Sequence, residues 1–108
     1  MFKIGDFSKL CRVPVSALRY YADIGLLEPA HIDTFSGFRF YTLDQLPRLN
    51  RILALKDLGL SLTQIREILH DELSASEIRG MLKLKEHELQ QEMEETQARL
   101  LRVRSRLQ

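Results

Sequence analysis

The chain has 108 residues, enough for one ordinary domain, and its 44% apolar and 29% charged residues fit a folded chain rather than a disordered one. No apolar run approaches the roughly 20 residues of a membrane span, Met1 to Asp6 lacks a secretory leader, and the single Cys11 excludes an internal disulfide framework, so a cytoplasmic protein is expected. Sixteen Lys and Arg against fifteen Asp and Glu leave a net charge of +1, so any surface for a polyanion has to be a local patch.

In chain order, Gly5 to Cys11 offers Phe7, Leu10 and Cys11 on one helical face, with Cys11 expected as a buried thiol. A turn at Arg12-Val13-Pro14 follows, with Pro14 suited to a first helical position. The next helix, Val15 to Ile24, points Leu18, Tyr21 and Ile24 inward and leaves Ser16, Arg19, Tyr20 and Asp23 outward, before Gly25 ends it. Two short helices joined by a tight turn make a helix-turn-helix pattern. Residues 34–41 hold four aromatics around Gly37, which predicts a β-hairpin wing with Arg39 and Tyr41 on one face at period two.

Helix starts are then plainly marked. Thr42 to Gln45, Ser61 to Gln64 and Ser74 to Glu77 each match the capping box, in which a hydroxyl and a Glu or Gln three residues on satisfy two free N–H groups. Apolar residues at helical spacing follow the first two boxes, and Gly59 between those helices suits a left-handed C′ position.

The last stretch has no proline and is rich in Glu, Gln, Leu, Arg and Lys. Leu89, Met93, Thr96, Leu100, Val103 and Leu107 alternate by four and three, the a/d spacing of a coiled coil; Leu82 extends the series and Glu86 interrupts it. Such a rod needs another helix, and a second copy of this chain is the simplest source. Arg99, Arg102, Arg104 and Arg106 read as a solvated face. The fold class is therefore mainly α: a winged helix-turn-helix with a second helix pair over residues 1–73, then a dimerisation helix over residues 74–108.

Ile4-Gly5-Asp6-Phe7, Ala17-Leu18-Arg19-Tyr20-Tyr21, Gly25-Leu26-Leu27-Glu28-Pro29, Gly37-Phe38-Arg39-Phe40-Tyr41 and Leu58-Gly59-Leu60-Ser61-Leu62 fall in the order shown by the MerR family of bacterial transcription regulators, which the chain resembles from about residue 3 to residue 72. The resemblance implies long helices paired antiparallel in a homodimer. It also implies a near-palindromic promoter operator that is bent and untwisted so that RNA polymerase can engage it. In many relatives an effector-binding domain follows the long helix, so the chain is read as a fragment or as a short member. A multidrug-type parent is one expectation; the effector is unknown.

Two departures stand out. The usual Gly-Val-Ser turn reads Arg12-Val13-Pro14, where a left-handed arginine would cost about 1 kcal/mol, and the wing tyrosine is Phe38.

Arg19 is expected at a base edge or phosphate, Ser16 or Ala17 at the groove-facing helix start, and Tyr20 at a phosphate. Tyr21 is read as mainly structural with its hydroxyl available, and Arg39 as a phosphate or minor-groove contact. Tyr41 either joins Arg39 at the duplex or pins the hairpin to the body, and Lys56 matches a family position near the DNA backbone. His31, His70 and His87 lie far apart without a metal-binding companion, and no nucleophile or phosphate-loop motif occurs. No metal, cofactor or catalysis is expected. The competing reading is a coiled-coil protein-interaction module whose helix-turn-helix head does not bind DNA.

Overall fold

The computed structural model describes all of residues 1–108, in two compact units, Met1–His70 and Asp71–Gln108. In the first unit, strand β1 (Phe2–Lys3) leads into helix α1 (Ile4–Cys11), a tight turn and helix α2 (Val15–Asp23). Strands β2 (His31–Ile32) and β3 (Arg39–Tyr41) form the wing, and helices α3 (Leu46–Asp57) and α4 (Leu62–Leu69) form the second pair. The sheet order is β1-β3-β2, antiparallel throughout, with Phe2 opposite Tyr41 and His31 opposite Phe40.

The helix-turn-helix differs from expectation in three details. Only Phe7 of the α1 face is buried; Leu10 is half exposed, and Cys11 is partly buried with its thiol 3.8 Å from the Ser8 carbonyl. Pro14 sits one position earlier than predicted, as the N-cap of α2, where its carbonyl accepts from the Ala17 and Leu18 N–H groups at 3.0 and 3.1 Å. Its extended ψ of 145° suits a cap, not a helical residue. Ile24 is only partly buried, whereas Leu18 and Tyr21 enter the core as expected.

Arg12 ends α1 in the left-handed region, at φ 58° and ψ 39°. Glycine would relieve that backbone at the cost of a more flexible unfolded chain. Arg12→Gly is therefore expected to stabilise the fold by up to about 1 kcal/mol in urea unfolding; a clear loss of stability would show that the arginine side chain matters more than its φ.

The wing is shifted from its predicted place. Its first strand is His31–Ile32, and residues 34–38 form the turn. Asp33 organises that turn: its carboxylate accepts from the Phe35 N–H at 3.3 Å and the Ser36 hydroxyl at 2.7 Å. The Gly37 N–H reaches the Asp33 carbonyl at 2.8 Å, with Gly37 at φ +73°. The Ser36 hydroxyl, and then the Phe35 N–H, hold the Asp33 carboxyl below its ordinary pKa.

Each capping box opens a helical turn, and at Thr42 the Gln45 side chain accepts from the Thr42 N–H at 3.0 Å. The Thr42 box opens a short 3-10 turn, Leu43–Gln45, before α3, and its Gln45 side chain also donates to the Glu28 carbonyl at 2.6 Å. Pro47 lies in the first turn of α3, where a missing N–H is harmless. Gly59 takes its left-handed place at φ +86°. Ser61 and Ser74 exchange both bonds with Gln64 and Glu77.

In the second unit, helix α5 (Ala75–Leu107) runs 33 residues, about 50 Å. None of its residues is buried in a single chain. No helix is long and apolar enough to cross a membrane.

Candidate nucleic-acid interface

An open groove of about 460 Å³ lies between the start of α1, helix α2 and the wing. Lys3, Asp6, Arg19, Phe38 and Arg39 are among its lining residues. Three cations against one carboxylate make it the kind of local basic patch that net charge cannot reveal. Antiparallel pairing of β1 with β3 brings Lys3 to this place, and its ammonium lies 5.1 Å from the centroid of the Phe38 ring. Sequence reasoning missed Lys3, because a two-residue strand has no periodicity to detect.

Helix α2 presents Ser16, Arg19 and Tyr20 to solvent, with Tyr20 about half exposed and Ala17 partly covered. The same helix buries Leu18 and Tyr21, which fixes the orientation of the exposed residues. Tyr21 is a core residue, 2% exposed, and its hydroxyl accepts from the Lys56 ammonium at 3.2 Å. That bond links α3 to α2, and Lys56 remains exposed.

Arg39 and Tyr41 do share a face of β3, but it is the face turned toward the body. The Tyr41 ring is fully buried and stacks on Phe7 with centroids 4.8 Å apart and planes 12° apart. This corrects the reading of Tyr41 as a groove-facing residue: it pins the wing to α1. Arg39 is partly covered, and its guanidinium lies 4.0 Å from the carboxylate of Asp23 at the end of α2. Asp23 is largely exposed, so solvent screening makes this pair a weak tether.

The Tyr41 hydroxyl is buried without a hydrogen-bond partner. Burial raises its pKa above the ordinary tyrosine value, with Arg39 and then Arg19 pulling the other way. Tyr41→Phe is expected to stabilise the fold by about 1 kcal/mol at neutral pH, since it removes an unsatisfied polar group. A phenol that loses its proton more readily when unfolded also makes the fold weaken above about pH 10, and the Phe variant should lack this component. Denaturant unfolding at pH 7 and at alkaline pH tests both; a destabilised variant would mean that the hydroxyl has a favourable partner.

On α5 the residues of the predicted stripe are exposed, as is most of the rest of the helix. Leu82, Leu89, Met93, Leu100, Val103 and Leu107 are 40–81% exposed, and Thr96 lies among them. The Ser74 box starts the helix, and its bonds hold the Glu77 carboxyl below its usual pKa. No three His, Cys, Asp or Glu side chains come together as metal ligands would.

The MerR HTH regulatory-protein family matches residues 2–72, spanning β1 through α4, and its partner family, described as MerR DNA binding, matches residues 46–108. The chain belongs to the MerR family. It is 31% identical over 110 residues to the HTH-type transcriptional regulator ZntR of Escherichia coli, covering 97% of this chain and 72% of ZntR. It is 41% identical over 66 residues to the multidrug-efflux transporter 1 regulator of Bacillus subtilis, covering 61% of this chain.

Among solved structures it resembles EcmrR in the cryo-EM structure of the EcmrR–DNA complex in EcmrR-RPo. There the TM-score is 0.86 and the identity 39%, over 99% of this chain and 38% of EcmrR. The chain thus spans 24% of the length of the B. subtilis multidrug-efflux transporter 1 regulator and 38% of EcmrR's. Both of the first two relatives are regulators by name, ZntR a transcriptional one.

Proposed function

We propose that this chain is the DNA-binding and dimerising part of a cytoplasmic transcription regulator, with residues 1–73 as the DNA-binding domain and residues 74–108 as the dimerisation helix. It binds a near-palindromic promoter operator as a homodimer and bends and untwists the duplex for RNA polymerase. The observation that carries this reading is the basic groove between α2 and the wing, in a chain whose whole length matches the MerR families.

Arg19 and Tyr20, with Ser16 or Ala17 beside them, form the recognition surface, and Arg39 contacts the backbone or minor groove. Lys3 and Lys56 add phosphate contacts. Tyr21 and Tyr41 act indirectly, by orienting α2 and the wing. Leu82, Leu89, Met93, Thr96, Leu100, Val103 and Leu107 form the seam with a second copy, antiparallel as the family implies. Two symmetric recognition surfaces require two half-sites, hence operator symmetry. Distorting DNA costs on the order of 1–10 kcal/mol, which the phosphate contacts of both heads must supply.

Selecting duplexes from a random library with the 108-residue chain should recover a two-fold symmetric site. Affinity for it should fall on the order of a hundredfold or more between 50 and 200 mM salt through counterion release. A chain that dimerises yet enriches no sequence, or binds without salt dependence, would favour a purely protein-binding head.

A further inference from the structure

Phe35 is the most exposed large apolar side chain in the molecule, at 98%. A lone exposed apolar residue is ordinary, but this one sits on a hydrogen-bonded turn beside the basic groove. The Asp33 carboxylate accepts from the Phe35 N–H itself and from the Ser36 hydroxyl, and the Ser36 hydroxyl accepts from the Phe38 N–H at 3.1 Å. The Gly37 N–H and the Asp33 N–H close the turn through backbone bonds of 2.8 and 2.9 Å. These bonds define a turn that leaves the ring in solvent. Its Gly37 and Phe38 line the basic groove beside Lys3, Arg19 and Arg39. Phe35 does not line the groove itself; it stands two residues before Gly37, on the turn that adjoins a surface whose charge suits a polyanion.

We infer that Phe35 is an apolar wedge that enters the minor groove at the outer flank of each half-site and selects A·T pairs there. This rests on the operator reading above. A phenyl ring has no donor or acceptor with which to read base edges, so it reads shape. On the minor-groove floor A·T pairs leave the room that the guanine 2-amino group takes in G·C pairs. Apolar side chains inserted at such places open base steps and bend the duplex. The inferred wedge adds to the distortion that the two heads impose, from a position unrelated to the seam or the recognition helix.

The test uses the full chain, its Phe35→Ala and Phe35→Leu variants, and the duplex recovered by selection, with flanks of A·T, G·C or inosine·C pairs. Inosine·C keeps the major-groove face of G·C and removes the 2-amino group. Wild type should bind A·T and inosine·C flanks about tenfold tighter than G·C flanks, the ~1.4 kcal/mol expected for partial burial of one phenyl ring. Phe35→Ala should lose that preference and bend the duplex less while still choosing the same half-sites. Phe35→Leu should keep part of both.

The ring touches little of the fold, so the variants should unfold at the same denaturant concentration as wild type. Equal binding of wild type and Phe35→Ala on all flanks would overturn the wedge and leave operator binding standing. So would a variant that binds and bends DNA normally but fails only with polymerase present, since Phe35 would then face protein. A wild-type chain that selects no duplex would overturn both readings together.

Discussion

Arg19→Ala combined with Arg39→Ala is expected to weaken operator binding at least about a hundredfold while leaving the dimer intact. A good arginine contact to a base edge is worth about 1–3 kcal/mol, and each lost phosphate contact lowers the salt slope by about one. Arg19 lies on the exposed face of α2 and lines the groove from one side, and Arg39 lines it from the wing. Removing both takes two of the three cations from the lining and leaves one cation, Lys3, against one carboxylate, Asp6. Neither change should cost much stability. Arg19 is exposed, the Arg39–Asp23 pair is long and solvent-screened, and one buried nitrogen of Arg39 has no partner to lose. The singles separate the roles: Arg39→Ala should weaken all duplexes alike, whereas Arg19→Ala should also relax half-site choice if its partner is a base edge. Fluorescence anisotropy over a salt series reads these effects, and unfolding curves confirm the fold. A double variant that lost dimerisation or folding as well would place the two arginines in the scaffold instead.

The second large effect lies on α5. Met93→Asp with Leu100→Asp is expected to convert the dimer to monomer at micromolar concentration and to reduce operator affinity at least about a hundredfold. Both side chains lie on the predicted stripe and are about half exposed in one chain. A two-fold seam receives every substitution twice, so four carboxylates would enter an apolar contact. Each should cost about 2 kcal/mol or more, because the burial of the apolar group is lost and a charge must be desolvated. The summed penalty exceeds a thousandfold in the dimer constant. Leu84→Asp is the matched control: this residue is 68% exposed and falls off the a/d series, on the outer f position. Sedimentation velocity should show monomer for the double variant and dimer for the control. If both remain dimeric, the seam lies elsewhere.

How far the fold was legible follows from the range of the interactions involved. The three capping boxes lie within four residues each, and each opens a helical turn, although the Thr42 box starts a 3-10 turn because Pro47 falls just behind it. The α5 stripe was visible because α-helical geometry repeats over 33 residues. The left-handed Arg12 and Gly59 could be anticipated from their places after helices. What escaped depends on contacts between distant segments. Period two puts Arg39 and Tyr41 on one face but does not say which face meets the body; the stack of Tyr41 on Phe7, across 34 positions, decides that. Lys3 reaches the groove only because Phe2–Lys3 pairs with Phe40–Tyr41. Lys56 finds the Tyr21 hydroxyl 35 residues away. The wing strand at His31–Ile32 was hidden because two exposed residues carry no alternation, and the aromatic cluster drew the predicted start of the hairpin three residues too far along the chain. Most of the scaffold was therefore readable from local signals, and most of the site's exact lining was not.

At the centre is a stoichiometric claim: a dimer made through α5 puts two identical recognition surfaces on one duplex. Sedimentation equilibrium of the chain with its selected operator measures this directly. The mass expected is one duplex plus two chains, with a duplex carrying a single half-site bound far more weakly. A complex of one chain per duplex, equally tight on the single half-site, would contradict it.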